Sequence, residues 1–299
     1  FESLRIIVFM PVQIFAKVVT SFRHVGTVGI ICNETFKEWP FDEAFAMAAE
    51  CGYTGIEFAP FTIHKDAYQI LEAQRTEIRA QVESYGLQGI GLHWLLAFTE
   101  GYYLTSPDEA VRQRTAQYLG ELARLCRDLG GTILVLGSPQ QRNLLPGISH
   151  DQGSDYAADV LRQAAPVFED CGVTLAVEPL SPAEGDFLNT AALGAALAEK
   201  VDSQSVQLHL DVKAMSSQQE PIVETIRDFH HLMAHFHAND ANLRGPGMGD
   251  IDFVPILQVL KDVGYDGWVS VEVFDYEPGV ESLCRDSIEY LKKCEAELT

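Results

Sequence analysis

Eight times in succession from Val28 onward, a short apolar run of strand length gives way to a stretch with helical periodicity. The runs are VGIIC, TGIEFAP, LQGIGLHW, TILVLGS, VTLAVEPL, VQLHLDV, MAHFHAND and WVSVEVF. The stretches that follow them cover 41–52, 67–85, 108–129, 151–171, 190–201, 221–229, 253–263 and the C-terminal segment from about Gly279. Glycines stand between several helical stretches and the next apolar run, at Gly52, Gly86, Gly130, Gly172 and Gly264. That is the usual residue just past a helix C-terminus, because glycine accepts the left-handed conformation. Strands alternating with helices imply parallel βαβ units, and eight units in about 270 residues favour a closed (β/α)8 barrel. An open doubly wound sheet is the competing architecture, but no GxGxxG follows the first run. No linker or compositional break divides the chain, so residues 25–299 are expected to form one barrel domain.

Residues 1–24 read as an N-terminal extension. The segment is apolar but broken by Pro11 and Lys17, and the run Ile6 to Ala16 is too short to span a bilayer. It has no convincing small-residue cleavage site, so a signal peptide is weakly supported. The chain is 47% hydrophobic and 21% charged, as expected of a globular protein with a sizeable core. Its formal net charge of −22 argues against a duplex nucleic-acid partner, which calls for a basic face. The six cysteines are scattered with no CxxC pair, which fits reduced thiols in a cytoplasmic protein. No membrane partner is expected.

In barrels of this kind the working residues sit at the C-terminal ends of the strands, around a common mouth. Runs five to eight deliver Glu178 (AVEPL), Asp211 (LHLDV), His237 (HFHAND) and Glu272 (SVEVF) at that end. A single strand-end carboxylate can face solvent or pair with a lysine. Four consecutive strands, each closing an apolar run with a potential ligand, would bury several carboxylates together, and that is prohibitive without a cation. Three carboxylates and one imidazole make an oxygen-rich set suited to Mn²⁺, with Mg²⁺ or Co²⁺ as alternatives, and poorly suited to a structural zinc.

The order Glu, Asp, His, Glu on strands five to eight, spaced 33, 26 and 35 residues apart, resembles the xylose-isomerase-like TIM-barrel superfamily. The likeness is greatest to its D-tagatose/D-psicose 3-epimerase branch and runs from about Val28 to Leu291. It includes the stretch Gly247 to Phe253 and the GYDGW of Gly264 to Trp268. The resemblance implies a divalent-metal-dependent isomerase or epimerase of a small sugar or keto-sugar, with Glu178 and Glu272 both ligating the metal and flanking the sugar from opposite faces. One glutamate would remove the proton beside the carbonyl to give a cis-enediolate, and the other would return a proton. It also implies a homo-oligomer, a dimer or a tetramer. The epimerases carry a substrate-contacting histidine where this chain has Ala214, so that contact is either absent or taken by the neighbouring Lys213. Arg244 resembles their substrate-binding arginine, one residue late.

Further substrate-binding candidates come from the residues themselves. His209 lies two before Asp211 and shares its face of the strand; a satisfied core histidine is an equal alternative. Glu57 and His93 end the second and third runs and are placed to hold the sugar's far hydroxyls. Trp94 reads more readily as core packing, and Gln140, Gln141 and Arg142 offer polar groups in the loop after the fourth run.

Elimination on a keto-cyclitol or keto-sugar, as in inosose dehydratases, begins with the same proton abstraction and is the competing activity. Endonuclease IV shares the fold but needs a three-metal, histidine-richer cluster and a basic surface, which this acidic chain lacks. A degenerate barrel acting as a binding protein would be expected to have lost a ligand, and all four are present.

Overall fold

The computed structural model describes residues 27–299, so the expectation for 1–24 lies outside the described residues. Eight parallel strands close on themselves in sequence order: β1 (Thr27–Cys32), β2 (Gly55–Phe58), β3 (Gln88–Leu92), β4 (Ile133–Leu136), β5 (Thr174–Val177), β6 (Val206–Asp211), β7 (Met233–Ala238) and β8 (Trp268–Val271). The β8–β1 pairing, Val271 opposite Ile31, completes the barrel. Nine α-helices are present among the described residues: α1 (Phe41–Cys51), α2 (Glu72–Ser84), α3 (Glu109–Asp128), α4 (His150–Cys171), α5 (Ala191–Val201), α6 (Val212–Ser216), α7 (Ile222–Phe229), α8 (Phe253–Asp262) and α9 (Val280–Ala296). All eight expected strands form, and the chain is a single (β/α)8 barrel.

Local chemistry explains the boundaries. Asp108, Ser149, Thr190 and Asp252 cap the first turns of α3, α4, α5 and α8 through their side-chain oxygens, with a full capping box between Ser149 and Gln152. Gly52 and Gly172 end α1 and α4 at φ values of 88° and 65°, where a side chain would be strained. The stretch 67–85 departs from the expectation of one helix. A 3-10 turn at Ala67–Gln69, started by Asp66, is followed by extended Ile70 and Leu71 before α2 begins. The buried Arg75 donates from Nε to the Ile70 carbonyl at 2.9 Å and pairs with Glu121 and Asp128, fastening this break to α3. The five-residue α6, directly after β6, was not anticipated; Asp211 caps it by accepting from Ala214 N at 2.7 Å.

Leucine, isoleucine, valine and phenylalanine fill the space between barrel and helices. Inside the barrel, toward the C-terminal ends of the strands, the filling turns polar. The two-residue repeat of a strand puts His209 and Asp211 of β6, and His235 and His237 of β7, on the interior face, together with Glu57 and Ser270, and all six are buried. Among the described residues no helix is long and apolar enough to cross a membrane. The six cysteines are all free thiols, as their scatter implied.

Candidate active site

Glu178 and Glu272 sit one residue past β5 and β8, while Asp211 and His237 lie within the ends of β6 and β7. One ligand atom each from Glu178, His209, Asp211 and His237 can be chosen so that all lie within 4.8 Å of one another. Glu272 joins this group through its Oε2, 3.0 Å from His237 Nδ1. The structure therefore gathers the four predicted ligands and adds His209, whose two ring nitrogens are buried without a hydrogen-bond partner, its ring 4.2 Å from that of His237. Two other groupings involve Cys32, with Glu34 and His93 or with Glu57 and His237, but neither reaches the open cavity.

The surroundings hold each group in place. The other nitrogen of His237, Nε2, faces Glu57 at 3.2 and 3.3 Å, and the same carboxylate bonds His235 Nε2 at 2.8 Å. Ser270 Oγ contacts His235 at 3.1 Å. Asp211 accepts from the Asn239 side chain at 2.5 Å, and Asn239 Oδ1 in turn takes the Lys213 backbone N–H at 2.7 Å. Glu272 Oε1 accepts the Trp94 indole N–H at 2.9 Å. Arg142 is buried and donates to the carbonyls of Leu136, Glu178 and Phe187, tying the end of β4 to the backbone that carries Glu178. Gly137 completes the seat, because a Cβ there would overlap the Glu178 carboxylate.

Electrostatics follow from burial and crowding. Burial, then repulsion from Glu272 and Asp211, pushes the Glu178 carboxyl well above the usual range. Burial also raises Asp211. For Glu272 burial acts upward, but the neighbouring His237, then His93 and Lys213, outweigh it and hold the carboxyl at about 2. His237 lies between Glu57 and Glu272, which overcome its burial and raise it well above 6.5. Burial drives His209 well below 6.5, so it is a neutral imidazole. Five inward carboxylates (Glu34, Glu57, Glu178, Asp211 and Glu272) share this interior with few positive partners, and a divalent cation at the Glu178–Asp211–His237–Glu272 cluster would relieve that imbalance. The residues present fit such an ion.

A cavity of about 210 Å³ opens onto this cluster, lined among others by Glu178, Glu272, Lys213, Glu184, Gln140 and Gln141. Lys213 is largely buried, 2.7 Å from Glu184 and over the Phe274 ring at 3.8 Å. Burial lowers its pKa, but Asp211 and Glu184 outweigh that, so the ammonium stays charged. Glu184 is itself held by Ser181, through both the backbone N–H and the hydroxyl. The other sequence candidates are placed differently. Glu57 and His93 stand behind the cavity wall, Glu57 on the two histidines and His93 on Glu34 at 2.6 Å. Arg244 pairs with Asp275 and Glu277 and does not line the cavity. Trp94, read from sequence as core, is half-buried and lines it.

Residues not singled out from sequence include Glu34, Glu184, Asn239 and His235. The strand repeat was available for His235, which alternates with His237 in HFH just as His209 alternates with Asp211. Nothing local marked Glu184, whose place is set by an irregular loop.

Fold and site together define a strand-end, metal-competent (β/α)8 barrel, and the chain belongs to the xylose isomerase-like TIM barrel family, whose model matches residues 45–294. It is 28% identical over 265 residues to the L-ribulose 3-epimerase of Mesorhizobium japonicum, covering 87% of this chain and 84% of that protein. It is 25% identical over 266 residues to a probable ketose 3-epimerase of Synechocystis, covering 83% and 89%. In three dimensions it matches a 3-keto-D-glucoside 4-epimerase of E. coli with a TM-score of 0.77 at 22% identity, over 90% of this chain and all of that one (100%).

Proposed function

We propose that the protein is a divalent-metal-dependent isomerase or epimerase of a sugar or keto-sugar, working by proton transfer between Glu178 and Glu272. The observation that carries this reading is that both glutamates line one cavity while Asp211 and His237 cluster directly behind them, within reach of Glu178 and Glu272. Relatives whose names are ketose 3-epimerases, aligned over most of both chains, support the reaction class.

Glu178, Asp211, His237 and Glu272 would hold the ion, Mn²⁺ by preference, with His209 beside them. When bound, the cation would hold the substrate's carbonyl and adjacent hydroxyl oxygens and offset the negative charge that builds on them. The rest belongs to the chain. One glutamate takes the proton from the carbon beside the carbonyl, and the other returns a proton from the opposite face, inverting that centre. Return at a neighbouring carbon gives aldose–ketose isomerisation instead. Trp94 fixes one oxygen of Glu272, so the remaining oxygen keeps a set direction. Lys213 stays protonated beside the reacting centre and donates to a substrate oxygen, the role left open by Ala214. Glu57, His93 and His209 support the site from behind the wall, and Arg244 serves the loop through Asp275 and Glu277. The free thiols suit a cytoplasmic setting, and a homo-oligomer, dimer or tetramer, is the assembly we expect.

Elimination starts with the same proton abstraction, so product analysis decides between them. Metal-loaded protein is incubated with ketoses and keto-sugars, and the products are separated. A new epimer or aldose of unchanged mass is the expected result; a product lighter by one water would assign the protein to the dehydratases.

A further inference from the structure

Beyond the two glutamates the cavity changes character. Beside polar residues that include Gln140 and Gln141, its lining holds an apolar wall of Trp94, Ala97, Phe98, Pro139, Leu180 and Phe274. Three of these belong to one loop after β3, and that loop has an unusual backbone. Trp94 and Phe98 both adopt positive φ, at 51° and 61°, a region in which bulky residues are strained. The turn is held by Ala97 N–H to the Trp94 carbonyl (3.1 Å) and Thr99 N–H to the Leu96 carbonyl (3.2 Å). Leu96 N–H donates to Ser138 Oγ at 3.0 Å, fastening it to the loop after β4.

The strain does not bury Phe98, which remains 64% exposed. Its ring meets Phe61 edge-on at 4.9 Å, and Phe61 meets Trp94 at 5.9 Å, so three aromatic rings form a continuous rim. A lone exposed phenylalanine needs no explanation. Phe98 is different because a disfavoured backbone conformation holds it at the mouth, in line with a wall that leads to the reacting centre. That wall offers a sugar few partners. Among these six residues the one side-chain donor, the Trp94 indole N–H, is already given to Glu272, and the cavity's free polar groups, such as Gln140 and Gln141, belong to the rest of its lining. Hydroxyls pressed against it would lose water and gain no hydrogen bond, whereas an aromatic ring would gain contact area and edge-to-face geometry.

We propose that this rim is a subsite for an apolar, aromatic aglycone, so that the substrate is a glycoside of a keto-sugar rather than a free ketose. The inference rests on the proton-transfer reading above: the sugar ring lies over the glutamates, and the aglycone leaves the cavity along Trp94 and Phe98 toward Phe61. Unlike the inner site, the subsite adds no chemical step and selects by contact alone.

The test is a pair of probes that differ only in the aglycone, phenyl and methyl 3-keto-β-D-glucoside, with D-fructose as the free ketose. Affinity for the metal-loaded protein is measured by calorimetry, and turnover separately. The phenyl compound is expected to bind at least tenfold tighter than the methyl compound. In Phe98→Ala that ratio should fall toward one, and Phe98→Tyr should retain most of it. Equal affinities in the unaltered protein, or a ratio that Phe98→Ala leaves intact, would overturn the subsite. So would turnover of D-fructose by protein that binds neither glycoside, although the isomerase reading would then stand. Phenyl-selective, Phe98-dependent binding without turnover of any probe would uphold the subsite and sink the isomerase reading. Sedimentation closes the remaining route. If the protein self-associates through Phe98 and the two glycosides bind alike, the rim is a contact between copies of the chain and the proposal fails.

Discussion

Glu57→Gln should weaken metal binding without touching a ligand. Glu57 receives two imidazole nitrogens, His237 Nε2 at 3.2 Å and His235 Nε2 at 2.8 Å. Burial raises its pKa, but the two histidines outweigh that and hold it well below 4.5, so it is a carboxylate that accepts from both. When His237 gives up a proton to become a ligand, a carboxylate accepting from Nε2–H keeps that proton in place, so the lone pair falls on Nδ1, the atom that faces Glu272. A glutamine has one acceptor oxygen and one NH₂, so it cannot accept through both ends. If its NH₂ faces His237, the ring moves its proton to Nδ1 and ceases to be a ligand. Loss of one charge-assisted hydrogen bond costs about 1.5–3 kcal/mol, consistent with the roughly 10–100-fold fall in affinity typical when a histidine's outer carboxylate is removed. Mn²⁺ affinity by competition with a chelator, followed by the electron paramagnetic resonance of free Mn²⁺, reads this directly. Glu57→Asp should recover part of the loss. A dissociation constant in Glu57→Gln within twofold of the unaltered protein would refute the reasoning.

Two further outcomes follow from the same geometry. Arg142→Met should leave the buried carbonyls of Glu178 and Phe187 without their donor, at about 1–3 kcal/mol each. The urea midpoint should fall accordingly, and Arg142→Lys should fall less; an unmoved midpoint in Arg142→Met contradicts the assigned role. Metal affinity should rise with pH. Glu178, Asp211 and His237 all have raised pKa values, so each must shed its proton to become a ligand and binding releases protons. The dissociation constant at about pH 6 should exceed that at about pH 8 by at least tenfold, and a flat profile would argue that other groups hold the ion.

The strand ends were legible because a parallel barrel assigns them a job in advance. Once β5 to β8 are found, Glu178, Asp211, His237 and Glu272 can be read from the last residues of each run, and the two-residue repeat carries His209 with them. The loops obey no such rule. Trp94 turns toward the cavity because its backbone takes a left-handed value that no sequence pattern announced. Glu184 arrives from an irregular segment, and Arg142 works from beneath the site through carbonyls that the sequence does not describe. Arg244 shows the limit of matching by proximity: Asp275 and Glu277, more than thirty residues away in sequence, claim its guanidinium. Glu57 and His93 were placed on the correct strands and the correct face. Burial behind His237 and Glu34 made them supports of the site and left the cavity wall to Trp94.

The central claim is that Glu178 and Glu272 each move a proton, and hydrogen exchange in D₂O tests it most directly. Metal-loaded protein is incubated with a keto-sugar substrate in D₂O, and deuterium at the carbon beside the carbonyl is followed by NMR after the metal is removed. The unaltered protein should incorporate deuterium and form a new epimer or aldose together. Glu178→Gln and Glu272→Gln should each lose turnover by at least a thousandfold, the scale of a missing general acid or base, while keeping the fold. Substantial epimer formation in either variant, or turnover without deuterium entering that carbon, would contradict proton transfer between the two glutamates.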